Sequence, residues 1–196
     1  MPDSSLSPKI VLGSKSPRRY QLLTDSGFDV EVRTQDDEED FDINMPANEV
    51  AEMLAVRKAD ALKDTLKLNE ILITADSVVI LGGKIYNKPT DYDEAVEILT
   101  ALAGKQHTVI TGVCITSVTG MKSFSVYTLV TFDHMTSEEI DYYITNYKPY
   151  DKAGAYGIQD WIGLCKVKEI NGSYSNIMGL PMRELYQALI KFGVTI

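Results

Sequence analysis

The chain has few of the residues that build metal centres and disulfide frameworks. Its 196 residues include two cysteines and two histidines. Cys114 and Cys165 have apolar neighbours and form no Cys-x-x-Cys pair, so a zinc site is not expected and two buried free thiols are favoured over a disulfide. Neither His107 nor His134 lies in a motif with a candidate nucleophilic serine, which argues against a serine hydrolase.

Long apolar runs and an excess of basic residues are also absent. No stretch approaches the ~18 apolar residues of a membrane span, and the first residues lack the pattern of a signal peptide. We therefore expect a cytoplasmic protein with no membrane partner. The formal net charge of −9 argues against an extended nucleic-acid-binding surface. A local basic pocket can still bind a small anion, especially with the help of a divalent cation.

The length and the order of the predicted elements indicate a mixed α/β fold. With 44% hydrophobic and 24% charged residues, the chain is typical of one soluble domain or two small lobes around a cleft. We expect a flexible N-terminus over residues 1–8 and a single domain over residues 9–196. Hairpin signals alternate with helical crossovers, so the sheet is predicted to be mixed and flanked by helices. Helices are predicted at 17–26, 47–63, 90–103, 136–147 and from 181 onwards, and strands at 9–13, 29–33, 71–81, 84–86, 107–118, 123–133 and 164–170.

The first candidate site is the segment Ser-Lys-Ser-Pro-Arg-Arg at residues 14–19, where a strand passes into a helix. Ser16 suits the N-cap and Pro17 the first helical position. Unpaired backbone N–H groups and the helix dipole favour an anion at such a point, and arginine binds phosphate with a bidentate fork. The alternative is a plain N-cap with a solvated basic turn.

Acidic residues supply two further candidates. Residues 36–40 are five consecutive acids, which form either a solvated loop or a source of oxygen ligands for Mg²⁺ or Mn²⁺. Asp76 interrupts a strongly apolar strand, and charged groups are rarely buried without a partner or a purpose. It is interpreted either as a reactive carboxylate or as a structural one that accepts backbone N–H bonds.

Basic and amide side chains complete the pattern. Lys58 shares a predicted helix face with Val50 and Leu54, so it either extends to solvent or points into a cleft. Lys88 lies in a turn before a proline, as a phosphate ligand or as a surface lysine. In residues 151–159, Asp-Lys-Ala-Gly-Ala-Tyr-Gly-Ile-Gln, two glycines permit close backbone approach to a ligand, and Gln159 can read the edge of a base.

Five ordered motifs together resemble the Maf nucleotide pyrophosphatases over about residues 9–193. They are residues 14–19, Ala-Asp-Ser at 75–77, Asn-Lys-Pro at 87–89, the segment 151–159, and Asn-Gly-Ser-Tyr at 171–174 followed by Gly-Leu-Pro at 179–181. The resemblance implies a Maf-like catalytic domain, similar to that of the ITP pyrophosphatases, with two lobes around a nucleotide-binding cleft. It also implies a homodimer.

The resemblance implies a role for each matching residue. The triphosphate would be held by Ser14, Ser16, Arg18 and Arg19, with its charge neutralised by Lys58 and Lys88. Lys152 would also bind the substrate. Asp76 would accept a proton from water, and Glu39 with Asp76 would bind a divalent cation, Mg²⁺ or Mn²⁺. Arg18, Ser77 and Gln159 match positions tied to the choice of dTTP and UTP, and the Gly-Ile-Gln sequence favours that branch over the one acting on methylated GTP.

Two features depart from the family pattern or leave alternatives open. Asn87 stands where an acidic residue is common before the lysine, which puts metal affinity in question. Glu38 competes with Glu39 as the match to the family's glutamate. The alternative functions are a catalytically weak nucleotide-binding regulator of cell division and a house-cleaning pyrophosphatase for purines such as ITP.

Overall fold

A single mixed sheet organises the fold in a computed structural model that describes residues 7–35, 41–42 and 45–195. Seven strands take part, in the order β2-β1-β3-β5-β6-β7, with β4 paired to one end of β3. The pairs of β1 with β2 and β3 are parallel, and the others are antiparallel. The strands are β1 Lys9–Leu12, β2 Val30–Val32, β3 Glu70–Leu81, β4 Lys84–Tyr86, β5 Gln106–Ser117, β6 Gly120–Phe132 and β7 Val167–Asn171.

Among the described residues, seven helices cover the two faces of the sheet. They are α1 Pro17–Asp25, α2 Ala47–Leu62, α3 Tyr92–Leu102, α4 Ser137–Tyr147, α5 Trp161–Lys166, α6 Tyr174–Ile177 and α7 Met182–Lys191. Short 3₁₀ turns occupy Lys63–Thr65, Pro149–Asp151 and Ala153–Ala155. The predicted mixed sheet flanked by helices is confirmed. Within the described ranges, no helix has both the length and the apolar character needed to cross a membrane.

Most of the predicted helix and turn signals are confirmed. Ser16 caps α1 with Pro17 at its start, and Thr136 forms a reciprocal capping box with Glu139. The hairpin between β3 and β4 turns at Gly82-Gly83, both with positive φ. The predicted cap at Thr90 is wrong by one residue, since the Asp91 side chain caps α3 while Thr90 donates to Glu94.

Two other predictions are wrong. The strand predicted at 164–170 begins only at Val167, because residues up to Lys166 belong to α5. Leu164 is 79% exposed, so this apolar residue does not mark a core-facing strand. Cys114 is buried as expected, but Cys165 is exposed, and both thiols are free.

Two apolar clusters lie on one face of the long strands, one at each end. The first is built from β1, α1, α7 and the starting half of β3, including Ile73 and Ala75. The second is built from α3, α4 and the ends of β5 and β6 nearer Phe132, and it includes Val79. Ser77 lies between them on the same face, because alternate residues of a strand point the same way. The two clusters are the cores of the two predicted lobes.

The opposite face of the sheet is covered by α2. A Cβ added at Gly112 would lie 2.3 Å from the carbonyl carbon of Ala51, so this glycine lets the helix rest directly on β5. Thr74 donates to the carbonyl of Ala55 over 2.6 Å and fastens β3 to the same helix. Because Gly112 is the partner of Asp76 across the β3–β5 ladder, α2 passes close to Asp76.

Only part of the predicted flexible N-terminus can be compared with the structure. Residues 1–6 lie outside the described residues. The hydroxyl of Ser7 donates to the carbonyl of Thr195 over 3.1 Å and accepts from its N–H over 3.0 Å. The start of the described chain therefore contacts its end.

Candidate active site

The candidate site lies where the sheet is split. Strand β3 pairs with β1 over residues 70–73 and with β4 over residues 79–81, so among the described residues its segment 74–78 has no strand partner on that edge. A cleft of about 520 Å³ lies beside this segment. Side chains from both faces of β3 can reach it, which explains how neighbouring Asp76 and Ser77 both line it.

All the predicted site residues except Glu39 line this cleft. Glu39 and the other acids of the 36–40 run lie outside the described residues. The cleft therefore brings together side chains from the strand–helix junction, α2, β3, the β4–α3 turn and the 151–159 segment, namely Ser14, Ser16, Arg18, Arg19, Lys58, Asp76, Ser77, Lys88, Lys152 and Gln159.

The first wall of the cleft, residues 13–19, is shaped by short-range hydrogen bonds. The hydroxyl of Ser16 accepts from the N–H of Arg19, and the N–H of Ser16 donates to the hydroxyl of Ser14 over 3.2 Å. A Cβ at Gly13 would lie 2.6 Å from Thr74 Cγ2, so glycine allows the chain to pass close to β3. The start of α1 thereby points into the cleft, where its dipole favours an anion.

Arg19 connects this wall to residues that are distant in the sequence. Its Nε donates to the carbonyl of Gly179 over 2.7 Å, and one terminal nitrogen donates to the carbonyl of Ala75 over 2.8 Å and to Ser14 over 3.2 Å. The other terminal nitrogen donates to Ser77 Oγ over 3.1 Å. Arg19 is only 9% exposed. Its guanidinium therefore occupies the split beside β3 and joins α1 to β3 and to the loop before α7.

A buried polar band continues from Ser77 across the sheet. The hydroxyls of Ser77 and Thr111 lie 2.9 Å apart, and Thr111 donates to the carbonyl of Asn176 over 3.0 Å. The Asn176 amide donates in turn to Thr128 Oγ1 and to the carbonyl of Val109. This band separates the two apolar clusters and fixes the Ser77 hydroxyl. Sequence reasoning gave Asn176 no role, although it lies between the last two motif pieces.

Asp76 and Lys58 form an ion pair at the centre of the cleft. The Nζ of Lys58 donates to Asp76 Oδ1 over 2.5 Å, and Asp76 is 7% exposed. The close contact of α2 with the sheet at Gly112 brings Lys58 within reach. The lysine thus points into the cleft, and its ammonium compensates the charge of the carboxylate.

The second wall, residues 151–160, carries its own charged group. Asp151 accepts from Arg18 over 2.8 Å and from Lys152 over 2.7 Å, so it joins the two walls across the cleft. Burial opposes its ionisation, but the hydrogen bonds from Lys152 and Arg18 outweigh burial and lower the pKa of Asp151. This aspartate belongs to the 151–159 motif, but the sequence pattern indicated no function for it.

The backbone of the second wall is strongly bent. Gly154 and Ala155 both have positive φ, and the N–H of Gly154 donates to the carbonyl of Asn87 over 3.2 Å. That bond ties the wall to the turn that carries Lys88. Tyr156 is buried, and its hydroxyl lies 2.8 Å from Nε2 of buried His107. Burial lowers the pKa of His107 to about 4, so its ring is neutral at pH 7.

A divalent cation, which the family resemblance implies, would need carboxylate ligands in this cleft. In the part of the chain that the structure describes, no group of three or more His, Cys, Asp or Glu side chains could hold a metal ion alone. Mg²⁺ is commonly held by one or two carboxylates together with substrate phosphates. Asp76 could provide one such carboxylate. The lysine and arginine side chains that line the same cleft could contact the phosphates.

Comparison with known proteins supports the resemblance over almost the whole chain. The family model described as Maf-like protein matches residues 9–192. A dTTP/UTP pyrophosphatase of Phocaeicola vulgatus is 49% identical over 93% of this chain and 95% of that protein. A dTTP/UTP pyrophosphatase of Porphyromonas gingivalis is 46% identical over 98% of each chain.

Similarity to solved structures is lower in sequence identity. The Ham1 protein of Staphylococcus aureus has a TM-score of 0.45 and 17% identity, covering 63% of this chain and 71% of that one. Family membership rests instead on the match to residues 9–192 and on the curated relatives. The chain belongs to the Maf family.

Proposed function

We propose that this protein hydrolyses dTTP and UTP to the nucleoside monophosphate and pyrophosphate. The observation that carries the proposal is the ion pair of Asp76 and Lys58 inside a cleft lined by further cations, in a Maf-family chain. Relatives at 49% and 46% identity bear the name dTTP/UTP pyrophosphatase. CTP and modified pyrimidine nucleotides are further candidate substrates.

The proposed reaction is a direct attack of water on the α-phosphorus. Asp76 takes a proton from the water, the new P–O bond forms, and the bond to the bridging oxygen of the β-phosphate breaks, so that pyrophosphate leaves. Lys58, Lys88, Arg18 and Lys152 neutralise the charge on the phosphates. Ser14 and Ser16 donate to phosphate oxygens beside the start of α1. No covalent intermediate is needed.

A divalent cation, Mg²⁺ or Mn²⁺, is part of the proposal. Asp76 and Glu39 would be its protein ligands, with phosphate oxygens completing the coordination. Bound there, the metal would neutralise phosphate charge and make a bound water more acidic. Removal of divalent metal with EDTA is expected to abolish turnover, and added Mg²⁺ or Mn²⁺ is expected to restore it.

The two walls have separate proposed tasks. The first wall and Lys152 hold the triphosphate, and Arg19 keeps that wall in place through its bonds to Gly179, Ala75, Ser14 and Ser77. Gln159 of the second wall reads the base, since an amide can both donate to and accept from a pyrimidine edge. We also propose a homodimer, from the resemblance to the family, and light scattering of the purified protein tests it. The proposed compartment is the cytoplasm.

The deciding experiment is a product analysis. Purified protein is incubated with each common NTP and dNTP plus Mg²⁺ or Mn²⁺, and monophosphate, pyrophosphate and orthophosphate are separated by ion-exchange chromatography. We expect monophosphate and pyrophosphate from dTTP and UTP. Asp76→Asn is expected to lower kcat by about 10³-fold, whereas Asp60→Asn, on the exposed side of α2, keeps normal activity.

Other products would change the conclusion. Orthophosphate with diphosphate would mean that a different bond is cleaved. Preferential turnover of ITP or XTP would support the purine house-cleaning alternative. Tight nucleotide binding without turnover would support the regulator of cell division.

A further inference from the structure

A buried tyrosine beneath the second wall holds the turn that carries Gln159. Tyr143 lies in α4, outside every motif and outside the cleft lining, and is fully buried. Its hydroxyl donates to Asp160 Oδ2 over 2.7 Å and accepts from the N–H of Gly157 over 3.0 Å. These two partners flank Gln159 on either side. Burial and the bond to Asp160 raise the pKa of Tyr143, so the hydroxyl keeps its proton.

Asp160 stands at the N-cap of α5, but its side chain does not cap that helix. It occupies the N-cap of α5 with extended backbone, yet its side chain accepts no hydrogen bond from the helix. An aspartate at this position commonly stabilises a helix by accepting a hydrogen bond from its first turn. Here the carboxylate contacts Tyr143 instead, while the Asp160 N–H donates to the carbonyl of Gly157 over 3.1 Å. The turn from Gly157 to Asp160 is thereby closed and fixed to α4.

The turn has little room to move. A Cβ at Gly157 would lie 2.5 Å from Asp160 Oδ2 and 3.0 Å from Lys152 Cε. A Cβ at Gly163 would lie 1.9 Å from the carbonyl oxygen of Ile158. Both glycines therefore lie in close contact with their surroundings, and a displacement of the turn at Gly157 would also displace Gln159, two residues further along the chain.

We propose that Tyr143 is a positioning residue that sets the preference of the site for pyrimidine nucleotides through Gln159. An amide that must match a donor and an acceptor on a base needs placement within about 0.5 Å. Tyr143 supplies it by holding both ends of the Gln159 turn. The inference rests on the proposed function and deepens it, because it names what fixes the residue that reads the base.

The test is a double-mutant cycle on selectivity, measured as the ratio of kcat/KM for UTP to that for GTP. Tyr143→Phe removes only the hydroxyl, and we expect the ratio to fall about tenfold. In a Gln159→Ala background the same substitution is expected to change the ratio less than about twofold, because the group that it positions is gone. Tyr147→Phe is the matched control, since Tyr147 stacks on Tyr143 from the same helix and is 37% exposed.

A merely structural role would give a different pattern. It would lower turnover of UTP and GTP by the same factor, or lower the ratio equally with and without Gln159, and either result would overturn the inference. Asp160→Asn keeps an oxygen that can accept from Tyr143, so it is expected to retain most of the ratio. Thermal unfolding of each variant separates a loss of folded protein from a change in selectivity.

A binding measurement separates this inference from the proposed reaction. The affinities for αβ-methylene-dTTP and αβ-methylene-dGTP, measured by calorimetry, need no catalysis. If the wild type prefers the dTTP analogue and Tyr143→Phe loses that preference, the inference holds even where turnover is absent. If the wild type has no such preference, the inference fails while hydrolysis can still be observed.

Discussion

The first wall of the cleft, residues 13–19, takes its shape mainly from its own neighbours in the chain, whereas the second wall, residues 151–160, takes its shape from distant side chains. In the first wall, Ser16 caps the helix that it begins, and the long-range side-chain bonds come from two neighbouring arginines, Arg18 and Arg19. In the second wall, Tyr156 depends on His107 and the Gln159 turn depends on Tyr143. If the proposed function is right, phosphate binding would depend on a local motif, and base recognition would depend on contacts made by the fold.

The largest effect on either wall is expected at Arg19, the buried arginine of the first wall. Arg19→Lys leaves a positive charge but cannot reproduce the hydrogen bonds to Gly179, Ala75, Ser14 and Ser77. Loss of buried bonds from a charged group is expected to lower the free energy of unfolding by about 3 kcal/mol. Displacement of the wall is expected to lower kcat/KM by about 100-fold. Urea denaturation and steady-state kinetics measure the two effects.

Arg18→Lys is the matched control for that stability effect. Arg18 pairs with Asp151, whose side chain is 57% exposed, so the free energy of unfolding is expected to stay within about 1 kcal/mol of the wild type. Equal destabilisation by both substitutions would show that Arg19 is no special fastening of the first wall.

The contact between His107 and Tyr156, which supports the second wall, is expected to make the stability of the protein depend on pH. The pKa of His107 falls from 6.5 to about 4 on folding, because burial disfavours the charged ring. The unfolded chain therefore binds the extra proton first, and the stability due to the neutral ring is complete above about pH 6.5 and is lost as the pH falls towards 4. The loss corresponds to about 3 kcal/mol at most. Urea denaturation between pH 7 and pH 4.5 measures it.

Two substitutions assign that pH dependence to one ring. His107→Gln removes the titrating group while an amide can still bond to Tyr156, so the stability of this variant is expected to vary less with pH. His134→Gln changes the other histidine and is expected to keep the wild-type slope. An unchanged slope in His107→Gln would show that acid acts elsewhere in the molecule.

The same contrast decides how far the sequence could predict the site. Caps, hairpin glycines and the strand–helix junction are local signals, and Ser16, Thr136 and Gly82 lie where these signals predicted. The expectation that five distant motifs form one site came from the family resemblance. Residue spacing alone does not predict that Lys58 contacts Asp76. Their contact depends on the close approach of α2 at Gly112, which a sequence cannot show without the register of β3 and β5.

Other features were beyond prediction for related reasons. Tyr143 shows the periodicity of an ordinary core residue, and only the tertiary contact gives its hydroxyl a task. The strand predicted at 164–170 was placed three residues too early, because its first residues belong to α5, a helix of only six residues. The bond between Asp151 and Arg18 joins residues 133 positions apart, so no local sequence pattern predicts it.

That bond across the cleft gives the smallest expected effect. Asp151 is ionised at neutral pH and occupies Arg18 and Lys152, which are the cations that a triphosphate would use. Asp151→Asn removes the competing charge, so the KM for UTP at low salt is expected to fall about threefold, with kcat unchanged. The difference is expected to shrink as ionic strength rises, because salt screens exposed charges. Asp141→Asn, an exposed change on α4, is the control.

The direction of that change tells whether the two walls compete or cooperate. If Asp151 mainly blocks the cations, its removal helps the substrate, and the walls act on the nucleotide independently. If Asp151 mainly aligns Arg18 with Lys152, the KM rises instead, and the first wall is then positioned partly by the second. Because the side chain of Asp151 is 57% exposed, alignment gains little from one solvated ion pair, and the argument from charge favours competition.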